Sequence, residues 1–74
     1  MKSEKERLRA HEIISAATKV FPVHYADMII QRFPDYYDGD PSARDKIRNV
    51  YNLRVINGEI LDQIELLTNE LKSS

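Results

Sequence analysis

Three prolines and one Asn-Gly pair limit how long any regular element in this chain can be. Pro22, Pro34 and Pro41 each lack the amide hydrogen that a helix interior or a central strand needs, and each biases the preceding residue away from helical geometry. With Asn57-Gly58 they cut the 74 residues into pieces of no more than about twenty, so a core has to be assembled from several short elements. Nothing covalent helps. The chain has no cysteine, which excludes a disulfide or a thiolate zinc site, and its two histidines do not complete a closed metal site by themselves. A chain of this length is one domain at most, and it must stand on apolar burial. No apolar run approaches the length of a membrane span, and residues 1–9 are charged throughout rather than leader-like. A cytoplasmic protein without a membrane partner is the expectation.

Between the breaks the apolar residues follow helical spacing. Ser3 with Glu6 three residues later is a capping-box signature, opening a helix that runs to about Lys19 with Ile13, Ala17 and Val20 inward and Ala10, Ile14 and Phe21 beside them. A second helix is predicted over 23–33, where Tyr25, Ile29 and Phe33 recur every four residues. Residues 34–40 have no period and are rich in turn formers. They are expected to form an exposed, metal-free loop, with Tyr36 and Tyr37 at the edge of the core. Asp40 suits an N-cap and Pro41 a first helical position, so a third helix is predicted from there to about Leu53, with Ala43, Ile47, Val50 and Tyr51 inward. Asn57 caps a last helix over 57–72 carrying Ile60, Leu61, Ile64, Leu67 and Leu71. No segment alternates with period two. The fold class is therefore all-α: a single-domain bundle of about four short helices, with Ile13, Ala17, Ile29, Phe33, Ile47, Val50, Ile60, Ile64 and Leu67 in one core.

The net charge of −1 conceals a strong asymmetry. Residues 42–56 carry Arg44, Lys46, Arg48 and Arg54 against Asp45 alone, whereas residues 57–74 carry Lys72 against Glu59, Asp62, Glu65 and Glu70. At 100° per residue, Arg44, Asp45, Arg48, Asn49 and Asn52 fall opposite the apolar stripe of the third helix. Arginine pairs with guanine and asparagine with adenine in the major groove, and flanking Lys46 and Arg54 suit phosphates. A short helix, a connection and a capped helix with a basic, amide-rich outer face is what a helix-turn-helix requires.

On these residues the chain resembles small helix-turn-helix proteins of the repressor/Cro type. Residues 25–33 (YADMIIQRF) match the first helix of the motif, with Ala26 as the small residue at the crossing, and residues 42–54 (SARDKIRNVYNLR) match the recognition helix, with Ile47 and Val50 facing the core. The stretch is also similar to short regulators of Bacteroides-like bacteria and their phages, through Phe21-Pro22-x-x-Tyr25 and the KIRNVYN run of residues 46–52. The resemblance implies a helix-turn-helix-like unit over 22–54, packed between an N-terminal helix (1–20) and a C-terminal helix (57–72). It implies sequence-specific binding of double-stranded DNA by a homodimeric transcriptional regulator, through Arg44, Lys46, Arg48, Asn49, Asn52 and Arg54. The 34–40 loop is longer than the turn of a standard motif, and its Asp35, Asp38 and Asp40 would repel a DNA backbone unless the loop points away.

Other chemistries find less support in the residues. The acids around Gly39 lack the spacing and the terminal bidentate Glu of an EF-hand loop. His24 has Asp27 three residues on but no Ser or Cys nucleophile in a motif beside it, so no enzyme, no cofactor and no small-molecule substrate is expected. The alternative to DNA binding is a protein-interaction module, accessory, antitoxin-like or host-factor-binding. Such a module would use the charged first helix or the acidic last helix and present a contiguous apolar patch.

Overall fold

Each break in the apolar pattern becomes a break between helices. A computed structural model describes residues 4–73. These form α1 (Glu4–Thr18), α2 (Tyr25–Arg32), α3 (Ala43–Tyr51) and α4 (Gly58–Ser73), with no strand among the described residues. The chain before Pro22 closes on Ala17, whose carbonyl accepts the amides of Val20 and Phe21 at 3.0 and 2.8 Å. Before Pro34, the Phe33 amide closes α2 on the Ile29 carbonyl at 3.0 Å. Asn57 caps α4 as its position predicts. Its Oδ1 accepts the amides of Glu59 and Ile60 at 3.0 and 3.2 Å, which satisfies two of the donors a helix start leaves over. The Ser3 half of the expected capping box lies outside the described residues.

The start of α3 differs from the expectation. The regular helix begins at Ala43, with Asp40 and Pro41 in the turn before it. Asp40 still caps that turn: its Oδ1 accepts the Ser42 amide at 2.9 Å, while Oδ2 accepts from Lys46 Nζ at 2.7 Å. The other end of α3 is a Schellman motif. The Arg54 amide reaches back to the Asn49 carbonyl at 2.8 Å and the Leu53 amide to that of Val50 at 3.0 Å. The position between them that usually holds glycine is Leu53, at φ +62°. That left-handed geometry costs a residue with a Cβ about 1–2 kcal/mol. Leu53 offsets it by packing its half-buried side chain against the core.

α4 is the hub of the bundle and packs against α1, α2 and α3 in turn. Ile29, Ile47, Ile60, Leu61, Ile64 and Val50 are the largest fully buried side chains, joined by Ala10, Ile13, Ile14, Ala17, Ala43 and Leu67. Phe33 is only half-buried, contrary to its place in the expected core. α2 ends at Arg32, and Phe33 (φ −126°, ψ 60°) has left the helical stripe. At the other end of α2, Tyr25 and Tyr51 stack at 4.0 Å between ring centroids, with Phe21 at 6.1 Å from Tyr51, so one aromatic stack ties α2 and α3 to the end of α1. Ion pairs join the outer surfaces: Arg9 of α1 meets Asp62 and Glu65 of α4, and Arg32 of α2 meets Glu70. The acids of the last helix are thus largely matched by cations of the same chain.

The 34–40 loop is not wholly exposed. Tyr37 is 4% exposed and donates its hydroxyl hydrogen to Gln63 Oε1 of α4, itself buried. Tyr36 meets it edge to face at 4.7 Å, and the turn from Tyr37 to Asp40 closes through Gly39 at φ +68°, where glycine carries no strain. The connection between α2 and α3 is therefore the ten residues 33–42, pinned at its middle.

Candidate functional site

The six polar residues singled out in and after the third helix divide into two flanks and an end. Arg44, Arg48 and Asn52 are spaced by four and are all exposed. They form one row on the side of α3 that faces the start of α2, and the row spans about 12 Å at 1.5 Å per residue. Residues 23–27, with Arg44 and Arg48, line a shallow cavity there of about 210 Å³. Lys46 and Asn49 lie on the other flank, lining a second shallow cavity with Val50, Val55, Asn57 and Ile60. Asn49, expected on the outer face with Arg48, is half-buried on this flank. The cause is local. The chain after the Schellman turn folds back over it, and the Asn49 carbonyl accepts the amides of both Arg54 and Val55, at 2.8 and 3.3 Å. Arg54 stands exposed beyond the helix end, facing α1.

Two of the four cations already have acidic partners. Arg44 meets Asp27 at 2.8 Å and Lys46 meets Asp40 at 2.7 Å. Lys46 first and the Ser42 amide second hold the Asp40 carboxyl below its ordinary range, and Asp40 holds the Lys46 ammonium above its own. Exposed pairs of this kind are weak, so an incoming anion can replace the carboxylate. Arg48 and Arg54 make no ion pair among the described residues.

The placement of these charges is not explained by helix stability. Arg44 and Lys46 sit in the first turn of α3, the positive end of its macrodipole, where only Asp45 is favourably placed. Both cations are matched there by acids of neighbouring segments, Arg44 by Asp27 and Lys46 by Asp40.

Two residues not expected at the DNA-facing surface, Val23 and His24, border it. Val23 is 98% exposed, and with His24 it lines the cavity beside Arg44 and Arg48. The sequence predicts a helix from position 23, whereas the regular helix starts at Tyr25 and leaves Val23 free of the core. Its position directly after Pro22 was the available signal.

The loop carboxylates do not gather into a site. Among the described residues no three His, Cys, Asp or Glu side chains come together as metal ligands, and Asp40 is occupied by Lys46 and the Ser42 amide. Millimolar Ca²⁺ is expected to leave the melting temperature unchanged. A rise of several degrees in a calorimetric scan would show that the loop binds the ion after all. No helix among the described residues is long and apolar enough to cross a membrane. No protein-family description matches the sequence, and neither the curated proteins nor the solved structures compared with it give a significant match.

Proposed function

We propose that this chain binds double-stranded DNA through α3, as a small homodimeric transcriptional regulator of the cytoplasm with a helix-turn-helix-like α2–α3 unit. The observation that carries the reading is the exposed Arg44–Arg48–Asn52 row, in which Arg48 has no acidic partner among the described residues. Its length of about 12 Å matches roughly three base-pair steps at 3.4 Å each. Arg48, at its centre, reads a guanine edge, and Arg44 and Asn52 reach the neighbouring steps. Lys46 and Arg54 contact phosphates on either side. Asn49, half-covered, supports the Lys46 flank rather than the centre of the row. Exposed Val23 beside Arg48 suits a thymine methyl. One short recognition helix gives little affinity, and a two-fold dimer on a palindromic site doubles the contact. The competing module reading requires a contiguous apolar surface.

The test is a polarisation titration with duplex libraries at two salt concentrations. Arg48→Ala is expected to lose about 1–3 kcal/mol at the preferred site and to relax its specificity, while Lys46→Ala weakens all sequences alike and lowers the salt slope by about one. Neither changes the melting temperature appreciably, because both side chains are exposed. Absence of salt-dependent affinity for any duplex would refute the reading and favour the interaction module.

A further inference from the structure

A second concentration of positive charge lies away from the α3 row, where α1 passes the connection between α3 and α4. Arg7 and His11, one turn apart on α1, line a cavity of about 250 Å³ together with Ala10, Leu53, Arg54 and Ile56. No acidic side chain lines it, and neither Arg7, His11 nor Arg54 makes an ion pair among the described residues. This contrasts with Arg9 of α1 and Arg32 of α2, which are matched by acids of α4, and with Arg44 and Lys46, matched by Asp27 and Asp40. The two guanidiniums at this cleft therefore have no carboxylate among the residues that line it with them.

The backbone holds that arrangement in place. Arg54 follows Leu53, the one described residue other than glycine with a positive φ, and its amide is tied to the Asn49 carbonyl at 2.8 Å. A strained residue fixed by a Schellman turn sets where the chain carrying Arg54 leaves α3, and Leu53 itself forms part of the cleft wall beside Ala10. The strain and the charge cluster therefore meet at one place.

We infer that Arg7, His11 and Arg54 form a binding cleft for a phosphate group. Two guanidiniums offer planar forks of N–H donors suited to tetrahedral oxyanions, and an imidazole adds a further donor. The cavity is smaller than the usual pocket for a whole organic ligand, and its size suits a charged group whose remainder lies outside. In the DNA complex, and resting on the function proposed above, that group is a backbone phosphodiester flanking the α3 contact, so α1 joins α3 in gripping the duplex. A free phosphate monoester presents the same chemistry.

The experiment separates these sources. Amide and side-chain NMR signals of the full chain are followed during titration with sodium phosphate, with sodium chloride at matched ionic strength, and with duplex DNA. The wild type, an Arg7→Gln/His11→Gln variant and Arg48→Ala are compared. All the substituted side chains are exposed, and far-UV circular dichroism checks that each variant keeps its helices. Saturable shifts at Arg7, His11 and Arg54 are expected with phosphate but not with chloride, and they should be abolished in the double variant. With duplex the same signals move, and the double variant lowers the salt slope by about one. If duplex binds through Arg48 while the cleft signals stay still and the slope is unchanged, the cleft inference fails and the proposed function stands. Should no duplex bind while phosphate still shifts the three residues of the wild type alone, the function fails and the cleft stands as a site for a free phosphate. Equal shifts with chloride would overturn the cleft altogether.

Discussion

Truncation of Tyr37 to alanine is expected to lower the free energy of unfolding by about 3–5 kcal/mol, as for other fully buried aromatics. Tyr37 is 4% exposed and belongs to the same buried cluster as Ile47 and Ile64. Its removal opens a cavity under the 33–42 connection and leaves Gln63 Oε1 buried without its donor. Tyr37→Phe isolates the second effect and should cost about 1–3 kcal/mol. The pH dependence has a definite sign. Burial, then Tyr36 and Asp40, push the Tyr37 phenol well above its ordinary range, so the folded state holds that proton more tightly than the unfolded chain does. The corresponding stability is complete below a pH of about 10, the ordinary tyrosine value, and is lost as pH rises above it. Tyr51, raised by burial and by Tyr25, acts in the same direction. Tyr37→Phe should therefore flatten the alkaline decline in stability without abolishing it. Urea titrations followed by far-UV circular dichroism at neutral and alkaline pH measure both quantities. A loss below about 1 kcal/mol for Tyr37→Ala would mean that the connection is not anchored by this ring.

The anchoring role of Tyr37 also marks where sequence reasoning stops. What was legible depended on neighbours in the chain. Asn57 reaches amides two and three residues on, α1 and α2 end at Thr18 and Arg32, ahead of Pro22 and Pro34, and the stripes Ile13–Ala17 and Ile60–Ile64–Leu67 place themselves by period alone. Residues 34–40 carry no period, and the partner of Tyr37 is 26 residues away on another helix, so nothing local announces a buried ring. The pairing of Arg9 with Asp62, 53 residues apart, is invisible for the same reason, and it changes what the acidic last helix means. A block of charge that looks free along the chain is matched by α1 and α2 in space.

The candidate site shows the same limit at finer scale. The wheel of the third helix places Arg44, Arg48 and Asn52 correctly in one row, because the 100° rotation per residue holds inside a regular helix. It does not show that Asn49 is half-buried, because the wheel takes no account of chain that folds back after the helix ends. That fold-back depends on a left-handed Leu53, whereas the sequence offers Gly58, four residues past Arg54, as the obvious break. Asp40 likewise serves the turn and Lys46 together, which delays the regular helix to Ala43.

Ile47→Ala is the second large effect expected, at about 2–5 kcal/mol. Ile47 is completely buried at the centre of the inner face of α3, in one cluster with Ile29 from α2 and with Ile60 and Ile64 from α4. α3 has nine residues, fewer than an isolated helix needs to persist in water, so its helicity is supplied by this packing rather than by propensity. A 74-residue domain has about 4–11 kcal/mol of stability at the usual 0.05–0.15 kcal/mol per residue, and one such truncation removes a large share of it. Ile47→Val keeps most of the side chain and should cost only about 0.5–1.5 kcal/mol. The functional corollary follows from geometry: Arg44, Arg48 and Asn52 are held in a row only while α3 is helical. Ile47→Ala should therefore weaken duplex binding near its melting temperature by depleting the folded state, and recover on cooling towards 10–20 °C, where small domains are most stable. Arg48→Ala should weaken it at every temperature with the melting curve unmoved. Parallel thermal and binding measurements on the two variants distinguish a support residue from a contact residue, and an Ile47→Ala chain that melts with the wild type would overturn the packing on which the row depends.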